Sequence, residues 1–273
     1  MRLRKVVLTC QLAFLIAVTF TTSSVYAQPE RGFEPRVGQP GKDVVWVPTP
    51  DELVEKMLNL GNVTASDYLI DLGSGDGRTV IMAAKRGARA HGIEYNPEMV
   101  ELSKRNAAVA GLSERATFAK EDLFESDFSK ASVITMFLLP QINLKMRPKI
   151  LDLKPGTRIV SNSFTMGEWR EDGSDSLDAE CINWCTALLW IVPAKAGGTW
   201  KLPQGELTLQ QSYQFISGTL KDGNQITPIA NGKLTGDQIM FNAGGLVYAG
   251  QVSGDSMQGT LSSGGGWTAS RVK

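Results

Sequence analysis

A glycine-rich turn between a strand-like run and a helix-like run constrains this chain more than any other feature. The apolar segment "DYLIDLG" leads into "GSGDG" at residues 73–77, and "GRTVIMAAKRG" continues with the pattern of a helix. Glycine adopts positive φ angles and lets the backbone approach a ligand closely, while the free N–H groups of a helix start attract negative groups. The turn therefore predicts a ligand site where a strand meets a helix.

Strand-like and helix-like segments alternate over residues 44–193. "ARAHGIE" predicts a second strand, and "NPEMVELSKRNAAVAG" predicts a helix with Asn96 as N-cap, Pro97 at its first position and Gly111 past its end. Further strands are predicted in "RATFAKED", "SVITMFLL" and "TRIVSNSF", and a helix interrupted by Pro148 in "PQINLKMRPKILDL". Because the strands read as buried and alternate with helices, we expect a doubly wound, mostly parallel α/β sheet.

Two later segments predict an antiparallel pair at the edge of that sheet. "AECINWC" and "TALLWIVPA" follow one another with no helix between them. Residues 197–273 then hold 15 of the 28 glycines and show no helical period. Short apolar–polar alternations recur there around Gly-Asp or Asp-Gly turns, which are hairpin signals. We expect a small C-terminal antiparallel β meander, with Trp200 and Trp267 either at its ends or, as we favour, in its core.

The first residues have the pattern of an export signal. Three basic residues precede an apolar segment at residues 6–20, and small residues ending in "VYA" precede Gln28. The apolar segment is shorter than the ~20 residues of a membrane-spanning helix. We expect residues 1–27 to be a cleaved signal peptide and the protein to be exported to a bacterial periplasm. An uncleaved anchor in the inner membrane is the alternative, and only that form would associate with the membrane.

Domain boundaries follow from these changes in pattern. We expect a signal peptide over 1–27, an extended arm over 28–45, the α/β domain over 46–195 and the β-rich domain over 197–273.

The numbers of charged and reactive residues exclude several classes of function. Without residues 1–27 the chain has 25 Lys and Arg against 28 Asp and Glu and no basic run, so we expect no nucleic-acid partner. His91 is the single histidine, which argues against catalytic triads and a histidine-rich zinc site, and we expect no metal. Cys181 and Cys185 can form a disulfide in an oxidising compartment or stay as two unpaired core thiols, which we favour.

Glu94 ends the predicted second strand, 17 residues after Gly77. At that place in a doubly wound sheet, a carboxylate can accept hydrogen bonds from both hydroxyls of a ribose, which predicts an adenosine-containing ligand. The dinucleotide fingerprint is G-x-G-x-x-G, whereas this chain has G-x-G-x-G after Asp71, and the difference disfavours a dehydrogenase. A packing turn that binds nothing is the alternative.

The segments "DLGSGDGR" and "GIEYNP" resemble class I S-adenosylmethionine-dependent methyltransferases over residues 44–193. The segments "VWVPTP" and "FLLPQINLKMRP" resemble one branch of that family, the seven-strand lysine methyltransferases that include the mitochondrial ATP-synthase c-subunit methyltransferase and bacterial relatives. The resemblance implies a Rossmann-like seven-stranded sheet, S-adenosylmethionine as cofactor and, as a hypothesis, a protein-lysine acceptor. A small-molecule acceptor and an exported binding scaffold without catalysis are the alternatives.

The resemblance also implies roles for individual residues that hold the cofactor. The first motif, which admits and orients the methionine part, comprises Asp71, Gly73, Ser74, Gly75, Asp76 and Gly77. The ribose-binding acid and its neighbour are Glu94 and Tyr95, and the adenine-facing pair is Asp122 and Leu123. Thr49 is expected to cap or cover the carboxylate end of the cofactor. The alternatives without a ligand are a cap of the following turn for Asp122 and a solvated helix start for Asp76 and Arg78.

Phe137 and Pro140, in "FLLP", fall where the family lines its acceptor and methyl-transfer site. The segment departs from the Asn/Asp-Pro-Pro-aromatic motif of methyltransferases that act on nucleobases or glutamine, so we do not expect those acceptors. A plain strand end is the alternative for "FLLP". Trp169 is equally open, as a core residue or as a wall of the acceptor site.

Overall fold

The computed structural model describes residues 33–178 and 180–272. The predicted signal peptide, residues 1–27, and the first part of the predicted arm lie outside the described residues. No helix within the described ranges is long and apolar enough to cross a membrane. The described chain builds two sheets, one layered with helices and one closed on itself.

The α/β part contains helices on both sides of a seven-stranded sheet. The helices are α1 Asp51–Leu60, α2 Arg78–Lys85, α3 Pro97–Val109 and α4 Pro140–Leu151. The strands are β1 Tyr68–Leu72, β2 Arg89–Glu94, β3 Ala116–Lys120, β4 Val133–Met136, β5 Arg158–Asn162, β6 Gly173–Ser176 and β7 Thr186–Ile191. Their order is β3-β2-β1-β4-β5-β7-β6, and only the pairs that involve β7 are antiparallel. The predicted doubly wound, mostly parallel sheet is confirmed.

Side chains that alternate along the strands build a separate core on each face of the sheet. Leu69 packs with side chains of α1, α2 and α3, whereas its neighbour Ile70 packs with side chains of α4. Successive residues of a strand point to opposite faces, which is why an unbroken apolar run serves both cores. The carboxyl ends of β1, β2, β4 and β5 are thereby held rigidly at one edge.

Local signals set the helix ends as the sequence predicts. The Asn96 side chain accepts hydrogen bonds from the N–H groups of Glu98 at 2.8 Å and Met99 at 3.4 Å, and Pro97 is the first residue of α3. Pro148 lies inside α4 and does not interrupt it. The helix continues past the proline because buried residues on both sides of it, among them Met146 and Ile150, keep one face packed in the core.

Of the two strands predicted at the sheet edge, the second forms and the first does not. β7 forms where expected, but residues 180–185 are a loop, and β6 is the polar segment Gly173–Ser176. The preference for unpaired thiols is also wrong, because Cys181 and Cys185 form a disulfide with their Cα atoms 5.9 Å apart. Four residues of extended strand would separate those atoms by about 13 Å. The disulfide and the predicted strand therefore exclude one another.

The C-terminal part is a closed barrel, which corrects the predicted meander. Its strands are β8 Gly198–Lys201, β9 Gly205–Ser212, β10 Phe215–Asp222, β11 Gln225–Pro228, β12 Ala230–Thr235, β13 Gln238–Ala243, β14 Leu246–Ser253, β15 Ser256–Leu261 and β16 Gly266–Arg271. Antiparallel neighbours follow one another as in a meander, but β16 also pairs with β8. Eight strands close, and β11 extends β10 alone. Trp200 and Trp267 are buried in the barrel core, as favoured above.

Contacts of three kinds join the barrel to the edge of the α/β sheet. Tyr213 stacks on Trp169 with ring centroids 6.0 Å apart, and the Gln214 side-chain amide donates to the Arg170 carbonyl at 2.8 Å. Asp172 and Lys233 form an ion pair at 3.1 Å. Trp169 is fully buried between these parts, which makes it a core residue and removes it from the acceptor site.

Candidate active site

The turn after β1 has a backbone that only glycine adopts readily. Gly73, Gly75 and Gly77 have φ angles of 77°, 55° and 82°. A Cβ atom on Gly75 would lie 2.7 Å from the indole nitrogen of Trp46, and one on Gly77 would lie 2.7 Å from the ring of Phe118. Side chains at these places would fill the space over the turn or push α2 off the sheet. The glycines therefore keep the backbone accessible.

Glu94 ties the glycine turn to the loop after β2. Its Oε2 accepts a hydrogen bond from the N–H of Gly75 at 3.0 Å, and its Oε1 accepts one from the N–H of Asn96 at 2.8 Å. A carboxylate has about four acceptor positions, so these two bonds fix its orientation and leave capacity for more donors. The fixed carboxylate is placed to accept hydrogen bonds from a ribose.

Asp71 is a buried carboxyl group at the end of β1. Its Oδ1 accepts a hydrogen bond from the hydroxyl of Thr135 at 2.6 Å, and no ion pair to Asp71 occurs within the described ranges. Burial raises the pKa of Asp71 to about 7, and the negative charges of Glu94 and Asp76 contribute to the rise. A cationic ligand beside Asp71 would favour its ionised form.

Ser74 offers a further polar group beside the glycine turn, and this one has no protein partner among the described residues. Its hydroxyl is buried and has no hydrogen-bond partner among the residues that the structure describes. Buried hydroxyls are nearly always hydrogen-bonded, so an orphaned one at a ligand site points to a missing donor or acceptor. The glycine cradle, the Asp71 carboxyl and the Ser74 hydroxyl together fit a ligand that carries positive charge and hydrogen-bonding groups, as S-adenosylmethionine does.

One pocket brings most of the predicted site residues together. Its walls include Thr49, Asp71, Gly73, Ser74, Gly75, Asp76, Glu94, Tyr95, Asp122, Leu123 and Phe137. Gly77, the N-cap of α2, and Pro140, the first residue of α4, are not on the walls. The walls and the open mouth together enclose about 1340 Å³ of space, solvent at the mouth included. The binding role of each residue stays a prediction.

The arm before α1 folds back over this pocket. The N–H of Gly38 donates to the Trp46 carbonyl at 2.8 Å, and the N–H of Trp46 donates to the Gln39 carbonyl at 2.9 Å. At the bend, Lys42 pairs with Asp122, and its ammonium lies 4.7 Å from the centroid of the Tyr95 ring. The sequence patterns indicated no role for Lys42, and none for Trp46 although it belongs to the segment "VWVPTP" that resembles the lysine methyltransferases.

Asp122 caps the turn after β3 and also lies on the pocket wall. Its Oδ1 accepts a hydrogen bond from the N–H of Phe124 at 3.0 Å, which is the capping role considered above. Its other oxygen pairs with Lys42, and this hydrogen bond holds the pKa of Asp122 below its ordinary value. The carboxylate stays ionised at the pocket wall.

Asp76 and Arg78 connect the glycine turn to the end of the arm. The Arg78 guanidinium bonds the Asp76 carboxylate at 2.7 Å and donates to the Thr49 carbonyl at 2.9 Å. The Thr49 hydroxyl accepts a hydrogen bond from the side-chain amide of Asn162 at 3.3 Å. The pair is therefore more than a solvated helix start, because it links the glycine turn to the Thr49 segment of the pocket wall.

An aromatic wall, formed by Phe137, Phe164 and Trp184, bounds another side of the pocket. Phe137 follows β4, and Phe164 follows the neighbouring strand β5. Ring centroids are 5.8 Å apart both between Phe137 and Phe164 and between Phe137 and Trp184. "FLLP" is thus more than a strand end. Sequence reasoning missed Phe164 and Trp184, although the rule that strand carboxyl ends share one edge could have located Phe164.

Comparison with known proteins agrees with this geometry. Residues 71–173 match the family described as the ANTKMT methyltransferase domain. A protein-lysine N-methyltransferase from Saccharolobus islandicus (strain REY15A) is 43% identical over 129 residues, which are 46% of this chain and 80% of that relative. The chain belongs to the ANTKMT methyltransferase family. It is an S-adenosylmethionine-dependent methyltransferase, as the resemblance implied.

Two further relatives show how far the likeness of this methyltransferase extends. The Mus musculus lysine N-methyltransferase that is named for the ATP-synthase c-subunit is 39% identical over 105 residues, 38% of this chain and 42% of the mouse protein. The structure of an RNA methyltransferase from Salinibacter ruber with S-adenosyl-L-homocysteine is 44% identical, has a TM-score of 0.52, and covers 55% of this chain and 95% of the other. The methyltransferase thus spans less than half of the mouse relative, and its barrel lies outside the matched family domain.

Proposed function

We propose that this methyltransferase transfers a methyl group from S-adenosylmethionine to the side-chain amine of a protein lysine. The main support for this proposal is the excess of acidic over basic residues on the pocket wall. Six of its wall residues are acidic, namely Asp43, Asp71, Asp76, Glu94, Glu121 and Asp122, and two are basic, Lys42 and Arg78. Both basic side chains already pair with carboxylates. A basic acceptor suits such a pocket better than an anionic one.

Methyl transfer requires the protein mainly to align the methyl donor with the acceptor. S-adenosylmethionine supplies a methyl group that its sulfonium already activates for in-line displacement. The glycine turn and Asp71 hold the methionine part with its positive charge, and Glu94 holds the ribose. An amine attacks only when it is neutral, and the apolar aromatic wall favours the neutral form because it raises the cost of an ammonium charge. Alignment of this kind can supply much of the rate enhancement without a strong general base.

An RNA acceptor is the second candidate, since the Salinibacter ruber relative is named as an RNA methyltransferase. RNA binding relies on cationic side chains that neutralise phosphates. The chain without residues 1–27 has no basic excess, and both cations on the described pocket wall are paired. The relatives named as lysine methyltransferases therefore supply the better analogy.

A methyl-transfer assay with matched acceptors tests the proposal. The protein would be incubated with methyl-labelled S-adenosylmethionine and either lysine-rich protein, the same protein with its lysines chemically acetylated beforehand, or mixed-sequence RNA. We expect label in the untreated protein, recovered as methyl-lysine, and a large loss of label when lysines are blocked. Label in RNA with none in protein would contradict the proposal.

We further propose that residues 1–27 direct export, so that the acceptor is an exported or membrane protein. The Cys181–Cys185 disulfide supports this, because disulfides persist in oxidising compartments. The cofactor is made in the cytoplasm, so an uncleaved anchor that leaves the catalytic part inside is the alternative. Cell fractionation with N-terminal sequencing decides between them: a periplasmic protein that begins at Gln28 is expected, and a cytoplasmic chain that retains residue 1 would contradict export.

A further inference from the structure

The loop between β6 and β7 holds a tryptophan in a backbone conformation that tryptophan rarely adopts. Trp184 has a φ angle of +55°, in the left-handed region. The disulfide between Cys181 and Cys185 closes the loop around it. A bulky residue stays in such a conformation only where its surroundings hold it there, and such residues concentrate at functional sites. The disulfide next to Trp184 supplies that restraint.

The sheet topology places this loop beside the carboxyl ends of β4 and β5, where the pocket lies. β7 runs antiparallel to β5, so Ala187 near the start of β7 faces Asn162 at the end of β5. The residue before β7 therefore meets the residues after β5 and β4. Trp184 lies edge-on to Phe137 and lines the pocket while 42% of its surface stays exposed. A pocket wall that is also exposed is where an acceptor enters.

We propose that Trp184 binds the acceptor lysine, together with Phe137 and Phe164, and that Cys181 and Cys185 are positioning residues that hold it there. This inference rests on the proposed function. The methylene stem of a lysine packs on aromatic rings, and the same apolar surface favours the neutral amino head that attacks the methyl group. Acidic wall residues such as Asp43 add to the preference for a basic acceptor.

Steady-state kinetics of three variants test the role of Trp184. Trp184→Ala is expected to raise the KM for a lysine-containing protein about tenfold, since one aromatic contact with the lysine side chain is lost. Trp184→Phe should recover most of that loss. Ile182→Ala is the matched control, because Ile182 lies in the same loop, is 90% exposed and is not on the pocket wall. S-adenosylmethionine affinity, measured by calorimetry, should be equal in all four proteins.

The positioning role is tested by the double variant Cys181→Ser with Cys185→Ser. It should raise the acceptor KM as Trp184→Ala does and leave cofactor affinity unchanged. Adding Trp184→Ala to it should produce no further increase, because both changes remove the same contact and effects of coupled residues are not additive. Full additivity of the two effects would overturn the positioning role.

Two outcomes separate this inference from the proposed function. An unaltered protein that methylates lysine, with an unchanged KM in Trp184→Ala, would overturn the inference alone. An unaltered protein that binds cofactor but transfers nothing to lysine would overturn both. A change in cofactor affinity equal to the change in KM would also overturn the inference, because it would assign Trp184 to the cofactor half of the pocket.

Discussion

At the scale of single residues, two opposing effects act on the ionisation of the Asp71 carboxyl group. Burial favours its neutral form and raises its pKa to about 7, while the Thr135 hydroxyl favours the ionised form. The folded protein therefore holds the Asp71 proton more tightly than the unfolded chain does from about pH 4 to pH 7. In the absence of cofactor, the free energy of unfolding should fall as pH rises through that window, by up to about 1.4 kcal/mol per pH unit.

Asp71→Asn removes this titration and tests it. We expect the wild type to lose stability relative to the variant between about pH 5 and pH 7, where the unfolded group has already lost its proton and the folded group still holds it. Thermal unfolding of both proteins across that range, without cofactor, measures the difference. Parallel Tm profiles would contradict a raised pKa for Asp71.

At the scale of elements, the turn before α2 requires glycine for two separate reasons that mutation can separate. Gly77 and Gly111 both have positive φ angles, 82° and 69°. A Cβ on Gly77 would meet Phe118 at 2.7 Å and Ser103 at 2.9 Å, whereas one on Gly111 would meet nothing within 4 Å.

Gly111→Ala therefore measures the backbone cost alone, and Gly77→Ala measures that cost plus the clash. We expect Gly111→Ala to destabilise the protein by about 1 kcal/mol and Gly77→Ala by about 3 kcal/mol or more, since the clash forces α2 or Phe118 to move. Urea unfolding monitored by circular dichroism gives both values. Equal losses would show that packing against Phe118 contributes nothing.

Elements with local signals were predictable, and elements set by distant contacts were not. The cap at Asn96 and the glycine turn lie within a few residues of the helices they start, so their sequence pattern suffices. β6 is not visible in the sequence because its four residues are polar and lie on the sheet edge. The loop at Cys181 has the composition of a strand, and only the disulfide reveals otherwise.

At the scale of the whole molecule, barrel closure depends on residues about seventy positions apart. Arg271 in the last strand donates to the carbonyls of Gly197 at 2.6 Å and Lys195 at 2.5 Å, and its guanidinium lies 4.1 Å from the Trp200 ring centroid. Pairing of the first and last strands removes both sheet edges. The hairpins of this barrel were visible in the sequence, but nothing local encodes the pairing of its ends.

The candidate site is likewise an assembly of distant segments. The glycine turn and Glu94 were predictable, since both belong to one strand–helix–strand unit. Lys42, Phe164 and Trp184 come from the arm and from strand ends far along the chain, and they carry no motif. Trp46 belongs to "VWVPTP", a segment that indicated no role for it. Their convergence follows from the topology of the sheet, which a single sequence indicates only in outline.

The central claim is that this assembled pocket holds S-adenosylmethionine through Glu94, and calorimetric titration of the cofactor into the purified protein tests it most directly. We expect saturable binding with one site per chain. Glu94→Gln should weaken binding at least about tenfold, because an amide nitrogen cannot accept the hydrogen bond that the Gly75 N–H now donates. Glu98→Gln, an exposed neighbour in the first turn of α3, should bind as the wild type does. Absence of binding by the wild type, or equal affinity in Glu94→Gln, would contradict the claim.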